Sequence, residues 1–197
     1  LRVYPDNAMA LLFQAKLFRA RRDWPRALAS AQHSANLYPL PQALGYVADA
    51  QRALGDAGGA RRTDALICAE QKLFNSQGIN DRLLAIYYAE HGEHLNDALA
   101  AARSDAAKRG NEIYADDTMA WVLAAMGRWK AARGYAQRAV RYETQDPELQ
   151  YHAGIIAMQT GHIPEARRRL GEALAADPQF HPVYAGEARR ALAAMAQ

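Results

Sequence analysis

Residues 160–178 read TGHIPEARRRLGEALAADP, and residues 127–147, GRWKAARGYAQRAVRYETQDP, repeat nearly the same phrase. In both stretches a glycine precedes an alanine-punctuated run at helical spacing, and a proline ends the stretch. Because proline cannot continue a helix, each stretch predicts a turn, one helix and a stop. A phrase that recurs within one chain predicts a repeat architecture.

The repeat period can be measured from an alanine that follows an aromatic or aliphatic residue by three positions. The aligned alanines are those whose aromatic or aliphatic residue lies just after a small or turn-type residue: Ala27, Ala60, Ala98, Ala132 and Ala166. Their residue numbers differ by 33, 38, 34 and 34. Each unit predicts two helices that cross at these alanines, since a Cβ-only side chain lets helix axes approach closely. The matching positions on the first helices are Ala15, Ala48, Ile86, Ala120 and Gly154.

Composition agrees with a helical chain. Half of the 197 residues are hydrophobic, and alanine supplies much of that half, which favours helix over strand. The formal net charge of +3 is weak evidence for an anionic partner. The single cysteine, Cys68, excludes an intrachain disulfide. No run approaches the roughly 18 apolar residues of a membrane span, so we expect no membrane insertion.

This pattern resembles the tetratricopeptide repeat, a helix–turn–helix unit of about 34 residues. The resemblance is strongest at residues 147–180. The residues of that stretch at the family's signature positions are Gly154, Gly161, Ala166, Ala173 and Pro178. The resemblance implies an all-α, right-handed superhelical solenoid of about five such units plus a C-terminal capping helix.

The expected units follow the period. They are residues 8–40, 41–78, 79–112, 113–146 and 147–180, with residues 181–197 as the capping helix. Residues 1–7 resemble the tail of a preceding repeat, so we expect the chain to be a piece of a longer array. In the second unit Lys72 replaces the terminal proline, and we expect a longer loop at Phe74–Asn80. In the third unit the turn GEHL contains one extra residue.

The resemblance also implies a binding groove, because the first helices of this family line the concave face. The positions projected into the groove are Phe13, Lys16, Arg19, Tyr46, Arg52, Tyr87, Tyr114, Trp121, Tyr151, His152 and Ile155. Exposed aromatic side chains among polar ones are the usual anchors of a binding surface. The alternative is that some of them pack against the next helix. A clamp for a peptide carboxylate is not expected, because Leu12 and Tyr46 stand where it needs polar residues.

Three arginines directly follow a crossing alanine and would face outward on the second helices. They are Arg61, Arg133 and Arg167. This convex stripe is either a solvated helix face or a binding surface for an acidic partner. The modest net charge argues against nucleic acid as that partner.

We find no arrangement of residues that predicts catalysis. His91 and His94 lie on either side of a glycine turn and lack the i,i+4 spacing of a zinc helix. Cys68 has no histidine placed to activate it, which favours an inert thiol. We therefore expect no enzyme activity, no metal and no cofactor.

The sequence thus predicts a non-catalytic scaffold that binds a peptide, a helix or a partner domain in its groove. The alternative is a self-associating structural scaffold that oligomerises through the groove and the terminal helices. The alanine and arginine content resembles that of a bacterial protein, and related bacterial arrays serve in secretion, export and assembly. Both the periplasm and the cytoplasm remain open as the location.

Overall fold

The computed structural model describes residues 4–76, 82–110 and 112–196 of the chain. These residues form eleven α-helices and no β-strand, which confirms the all-α prediction. None of these helices is both long enough and apolar enough to cross a membrane. The chain divides into two compact units, which we call unit 1 (residues 1–79) and unit 2 (residues 80–197).

Unit 1 contains two helix pairs. Its helices are α1 (Ala8–Ala20), α2 (Trp24–Leu37), α3 (Pro41–Ala53) and α4 (Ala57–Ser76). Each helix packs against the next one along the chain, and the two first helices, α1 and α3, also touch each other. This is the packing expected of stacked helix–turn–helix repeats, in which each repeat contacts the repeats before and after it.

Unit 2 contains three helix pairs and a terminal helix. Its helices are α5 (Arg82–His91), α6 (Leu95–Arg109), α7 (Ile113–Ala125), α8 (Trp129–Ala139), α9 (Pro147–Gln159), α10 (Ile163–Ala176) and α11 (Tyr184–Ala194). The first helices of the three pairs form one layer, with α7 in contact with both α5 and α9. The terminal helix α11 packs on α10.

Glycine makes the tight turns inside four of the helix pairs. Gly55, Gly92, Gly127 and Gly161 have φ angles of 84°, 68°, 71° and 80°, a left-handed conformation that glycine adopts without a Cβ clash. In the first pair the corresponding residue is Arg22, at φ 58°. The glycine turns predicted from the sequence therefore have a direct conformational reason.

The crossing alanines lie where the sequence predicted them. Ala27, Ala98, Ala132 and Ala166 are fully buried and Ala60 is 2% exposed. On the facing helix of the fifth pair, a Cβ added at Gly154 would lie 2.8 Å from the Leu170 side chain. The small residues therefore let the two helices of a pair approach each other.

The predicted loop at Phe74–Asn80 is wrong at its start, because α4 continues through Ser76. The other residues of that loop, 77–80, lie outside the described residues. The physical reason is the missing terminator. Lys72 stands where the first and fifth repeats have Pro39 and Pro178, and lysine does not stop a helix.

The register predicted for α5 is also wrong by one residue. Ala85, 1% exposed, takes the buried crossing position, and Ile86 is half-buried. The cause is the extra residue of the GEHL turn, where His94 adopts a left-handed conformation at φ 47° and forms the N-cap of α6. A residue inserted in the turn shifts the first helix relative to the second.

The chain after α10 does not form the next helix at once. Asp146 and Pro147 open α9 directly, whereas the similar pair Asp177–Pro178 is followed by an irregular stretch until α11 begins at Tyr184. Pro182 lies inside this stretch and cannot donate the backbone hydrogen bond of a continuing helix. Phe180 and His181 are nevertheless 4% and 5% exposed, so the stretch is packed against the rest of unit 2.

Candidate functional site

The groove positions predicted from the sequence lie on the first helices of the pairs. We call the surface of α1 and α3 the unit 1 face, and the surface of α5, α7 and α9 the unit 2 face.

The unit 1 face exposes an apolar stripe along α1. Met9, Phe13 and Leu17 are spaced four residues apart and are 49%, 65% and 47% exposed. Residues four apart lie on one side of a helix, so the three side chains form a continuous strip. Lys16 is half-buried beside it. Phe13 is thus exposed, as the sequence predicted.

Ion pairs hold the rest of the unit 1 face. The Arg19 Nη2 atom lies 2.7 Å from Asp49 Oδ2, and Arg52 Nη2 lies 2.7 Å from Asp64 Oδ2. Arg52 also reaches the other Asp49 oxygen at 3.5 Å. These contacts join α1, α3 and α4. Arg52 is half-buried in this network rather than directed at solvent.

Two of the predicted groove residues of unit 1 are buried. Arg19 and Tyr46 are 8% and 9% exposed. The Arg19 guanidinium lies 5.0 Å from the centroid of the Tyr46 ring, a distance at which the cation and the ring attract each other. The expectation that both are exposed is therefore wrong, because each satisfies the other and Asp49 pairs with the arginine.

On α5 of unit 2, the predicted groove residue Tyr87 is also buried, at 8% exposure. Its ring centroid lies 4.2 Å from that of His91, whose Nδ1 atom is 2.7 Å from the Tyr87 carbonyl oxygen. The one-residue shift of α5 explains the error, because it moves Ile86 into the position assigned to Tyr87. His94 lies 3.7 Å from Asp97, so each histidine of the HGEH turn has a local contact.

Tyr114 at the start of α7 is half-buried. Its hydroxyl donates a hydrogen bond to Asp146 at 3.3 Å, and the Arg82 guanidinium lies 5.1 Å from its ring centroid. Burial and the Asp146 carboxylate raise the pKa of the Tyr114 phenol above its usual value. Tyr114 therefore fastens the start of α7 to the N-cap of α9.

The centre of the unit 2 face is a stacked pair of rings. The Trp121 and His152 ring centroids are 4.0 Å apart and nearly parallel, at 17°. His152 Nδ1 lies 3.0 Å and 3.1 Å from the two Asp117 oxygens. His152 is 2% exposed, so its expected exposure in the groove is wrong. The first helix of the preceding pair, α7, covers the His152 ring with Trp121 and binds it with Asp117.

Charge decides the protonation of His152. Burial by itself would lower the pKa of His152, but the Asp117 carboxylate outweighs that effect, so the pKa is raised above its ordinary value. Glu148 and Glu90 act in the same direction from a greater distance. The buried ring therefore keeps its proton to a higher pH than an ordinary histidine does.

Tyr151 is the second residue of α9 that the structure removes from the groove, at 1% exposure. Its ring stacks on Tyr184 with centroids 4.5 Å apart, and its hydroxyl donates to Glu187 at 2.5 Å. Burial and this carboxylate raise the pKa of the Tyr151 phenol. The expected exposure was wrong because the terminal helix α11 covers the ring. Ile155 packs at the edge of the same cluster and is half-buried.

The chain's own C-terminal part lies across the unit 2 face. His181 Nε2 is 3.9 Å from Glu90 on α5, and Tyr184 lies 5.6 Å from Trp121 on α7, measured between ring centroids. With the Tyr151 contact on α9, the first helices of all three pairs are reached. Sequence reasoning missed Asp117, His181 and Tyr184. The one sequence signal that this part of the chain departs from the repeat is Pro182, which interrupts a continuing helix.

The predicted convex stripe is not uniform. Arg61 and Arg167 are exposed, whereas the Arg133 side chain is 16% exposed and its Nη2 atom lies 2.7 Å from Glu165 Oε2. The prediction that Arg133 faces solvent with the other two is therefore wrong. The carboxylate of the next helix pair neutralises it.

A comparison with models of protein families matches part of the chain. The family model described as tetratricopeptide repeat matches residues 123–194. A comparison with curated protein sequences found no match.

Solved structures of similar fold align with nearly the whole chain. A thermophilic tetratricopeptide repeat protein of Thermus thermophilus has a TM-score of 0.62 at 16% identity, over 96% of this chain and 99% of that one. Yeast Tom70 has a TM-score of 0.52 at 12% identity, over 100% of this chain and 42% of that one. At these identities the likeness shows the fold.

Proposed function

We propose that this chain, which has the fold of tetratricopeptide repeat proteins and matches their repeat model at residues 123–194, is a non-catalytic interaction scaffold. Its partner is a protein that presents a helix with an apolar side, and the first surface for that helix is the stripe of Met9, Phe13 and Leu17. The exposure of this stripe is the observation that carries the proposal.

The repeat itself supports a helical partner. Positions equivalent to Phe13 and Leu17 occur on every later pair, and on α3, α7 and α9 they are buried against the preceding pair. These equivalent residues are Tyr46 and Ala50, Thr118 and Val122, and His152 and Ile156. The α1 stripe therefore has the shape and character of a surface on which a helix packs, either the helix of a preceding pair in a longer array or that of a partner protein. A rigid surface of this kind binds without losing conformational entropy of its own.

The test is affinity capture from a lysate of the source organism with the tagged full chain. Three baits are compared: wild type, Phe13→Ala with Leu17→Ala, and Leu66→Ala. Leu66 is the matched control because it is 47% exposed, as Leu17 is, but lies on α4. Circular dichroism and size-exclusion chromatography first establish that the three baits fold alike.

We expect a partner that wild type and Leu66→Ala retain and the double variant loses. Equal retention by all three baits would contradict a binding role for the stripe. If the wild-type bait captures only further copies of this chain, and the double variant captures none, the self-associating scaffold is favoured instead. The identity of the captured protein tests the proposed context of bacterial secretion, export or assembly.

A further inference from the structure

Residues 180–187, which we call the C-terminal segment, cover the unit 2 face more extensively than a terminal cap requires. A cap needs to contact only the last helix pair, because each repeat of a solenoid contacts its neighbours. Here His181 comes within 3.9 Å of Glu90 on α5, two pairs upstream. The segment thus occupies the surface that the first helices of unit 2 would otherwise offer to a partner.

The contacts of the segment show what chemistry this face accepts. The Tyr184 ring stacks on Tyr151 at 4.5 Å and meets Trp121 edge-on at 5.6 Å, between ring centroids. Offset and edge-on arrangements of this kind are the favourable geometries for aromatic pairs. The Glu187 carboxylate accepts the Tyr151 hydroxyl hydrogen bond at 2.5 Å. The face therefore accepts one aromatic ring with a carboxylate beside it.

The segment leaves part of the face unsatisfied. Trp121 Nε1 and His152 Nε2 are buried and have no hydrogen-bond partner among the residues that the structure describes. An indole nitrogen is a donor only, and Asp117 favours the protonated form of His152, in which Nε2 is also a donor. A buried polar atom without a hydrogen-bond partner costs free energy, and the docked segment satisfies neither nitrogen. A competitor that brings a hydrogen-bond acceptor to them would recover that cost.

We propose that the C-terminal segment is an intramolecular pseudo-ligand of the unit 2 face. The partner of this face is a protein segment that presents an aromatic ring together with a carboxylate, and it binds by displacing residues 180–187. The inference rests on the proposed function, because it names the partner class and the regulation of a first-helix face. It differs from that function in being testable with the purified chain alone.

The experiment measures whether the face becomes available when the segment's ring is removed. The probe is a fluorescein-labelled peptide of the chain's own residues 178–190, titrated with the purified full chain by fluorescence anisotropy. The chains are wild type, Tyr184→Ala and the control Val183→Ala, whose side chain is 48% exposed beside Tyr184. We expect Tyr184→Ala to bind the peptide at least about tenfold more tightly than the other two chains.

A second substitution tests whether the tighter binding of the peptide takes place on the unit 2 face. Adding Trp121→Ala to Tyr184→Ala is expected to return peptide binding to the wild-type level. Glu187→Gln is the milder variant, since it keeps the shape of the side chain and weakens only the Tyr151 hydrogen bond. It is expected to bind the peptide more tightly than wild type by a smaller factor, and it serves if Tyr184→Ala does not fold.

Equal affinities for wild type, Tyr184→Ala and Glu187→Gln, or no binding by any of them, would overturn the pseudo-ligand. A gain that survives Trp121→Ala would place the peptide elsewhere and overturn it as well. Failure of the lysate capture with the α1 variants bears on the proposed function instead. The two results are therefore separable.

Discussion

Charges organise the unit 1 face, whereas aromatic rings organise the unit 2 face. In unit 1, Arg19, Asp49 and Arg52 join neighbouring helices through ion pairs, and the Phe13 ring on α1 is exposed. In unit 2, Trp121 stacks on His152, and the chain's own C-terminal segment lies over the rings. One surface is open and the other is occupied.

The same repeat position therefore has different roles in the two units. Phe13 and His152 each lie two residues before the small residue of the helix crossing, Ala15 and Gly154 respectively. Phe13 is 65% exposed and His152 is 2% exposed. The difference comes from the neighbour, because α7 covers His152 with Trp121. The position of a residue in the repeat determines the side of the helix on which its side chain lies. The adjoining helix determines whether that side chain is exposed.

The largest test of this contrast substitutes the two rings by alanine. Tyr151→Ala is expected to lower the free energy of unfolding by about 3–5 kcal/mol, because it empties a fully buried aromatic site. Phe13→Ala is expected to change it by no more than about 0.5 kcal/mol, since an exposed ring leaves no cavity. Urea denaturation followed by far-UV circular dichroism measures both. Similar losses would mean that the two faces do not differ in the way described.

The second test concerns the charges of unit 1. Asp49→Leu is expected to cost about 2–3 kcal/mol, because it leaves the buried Arg19 guanidinium without this carboxylate. Adding Arg19→Met is expected to bring stability back to within about 1 kcal/mol of wild type, since apolar side chains of similar size need no counter-charge. Urea denaturation of the single and double variants gives the coupling energy. A double variant that stays more than about 1 kcal/mol less stable than wild type would show that the pair itself is a net source of stability.

The third and smallest effect is a pH dependence specific to unit 2. The folded pKa of His152 is raised above its ordinary value of 6.5, so protonated His152 contributes stability at low pH. That contribution is full below about pH 6.5 and is lost as the pH rises through the folded pKa. The charged groups that act on the ring are Asp117, Glu148 and Glu90.

Thermal denaturation of wild type and His152→Gln between about pH 5.5 and pH 9 tests this linkage. The stability advantage of wild type over the variant is expected to shrink as the pH rises. His162→Gln is the matched control, because His162 is exposed and does not contact Asp117. An advantage that grows with pH would mean that the neutral ring is the form held beside Asp117.

Much of the fold could be predicted because its determinants are local. Alanines at a constant spacing, glycines that accept positive φ and prolines that end helices mark each helix pair within a few residues. The failures follow from the same rule. Where Lys72 replaced a terminator, α4 continued through Ser76, and where the GEHL turn gained a residue, α5 shifted by one position.

The candidate site was less predictable, because burial depends on residues far apart in the sequence. The repeat correctly directed Phe13 outward. It also directed Arg19, Tyr151 and His152 outward, but each of them is buried by a contact with a distant residue. Arg19 pairs with Asp49, 30 residues away, and Tyr151 stacks on Tyr184, 33 residues away. His152 binds Asp117, 35 residues away. No local pattern encodes those pairings.

The sequence by itself determined the helix pairs, the crossing alanines of the second helices and the identity of the first helices, since periodicity and backbone chemistry act within one turn or one repeat. Tertiary structure alone decided which first-helix residues are exposed and that residues 180–187 lie across the unit 2 face. The physical reason is that an amphipathic pattern states which side of a helix is buried. What covers that side depends on the energies of packing and charge pairing between distant segments.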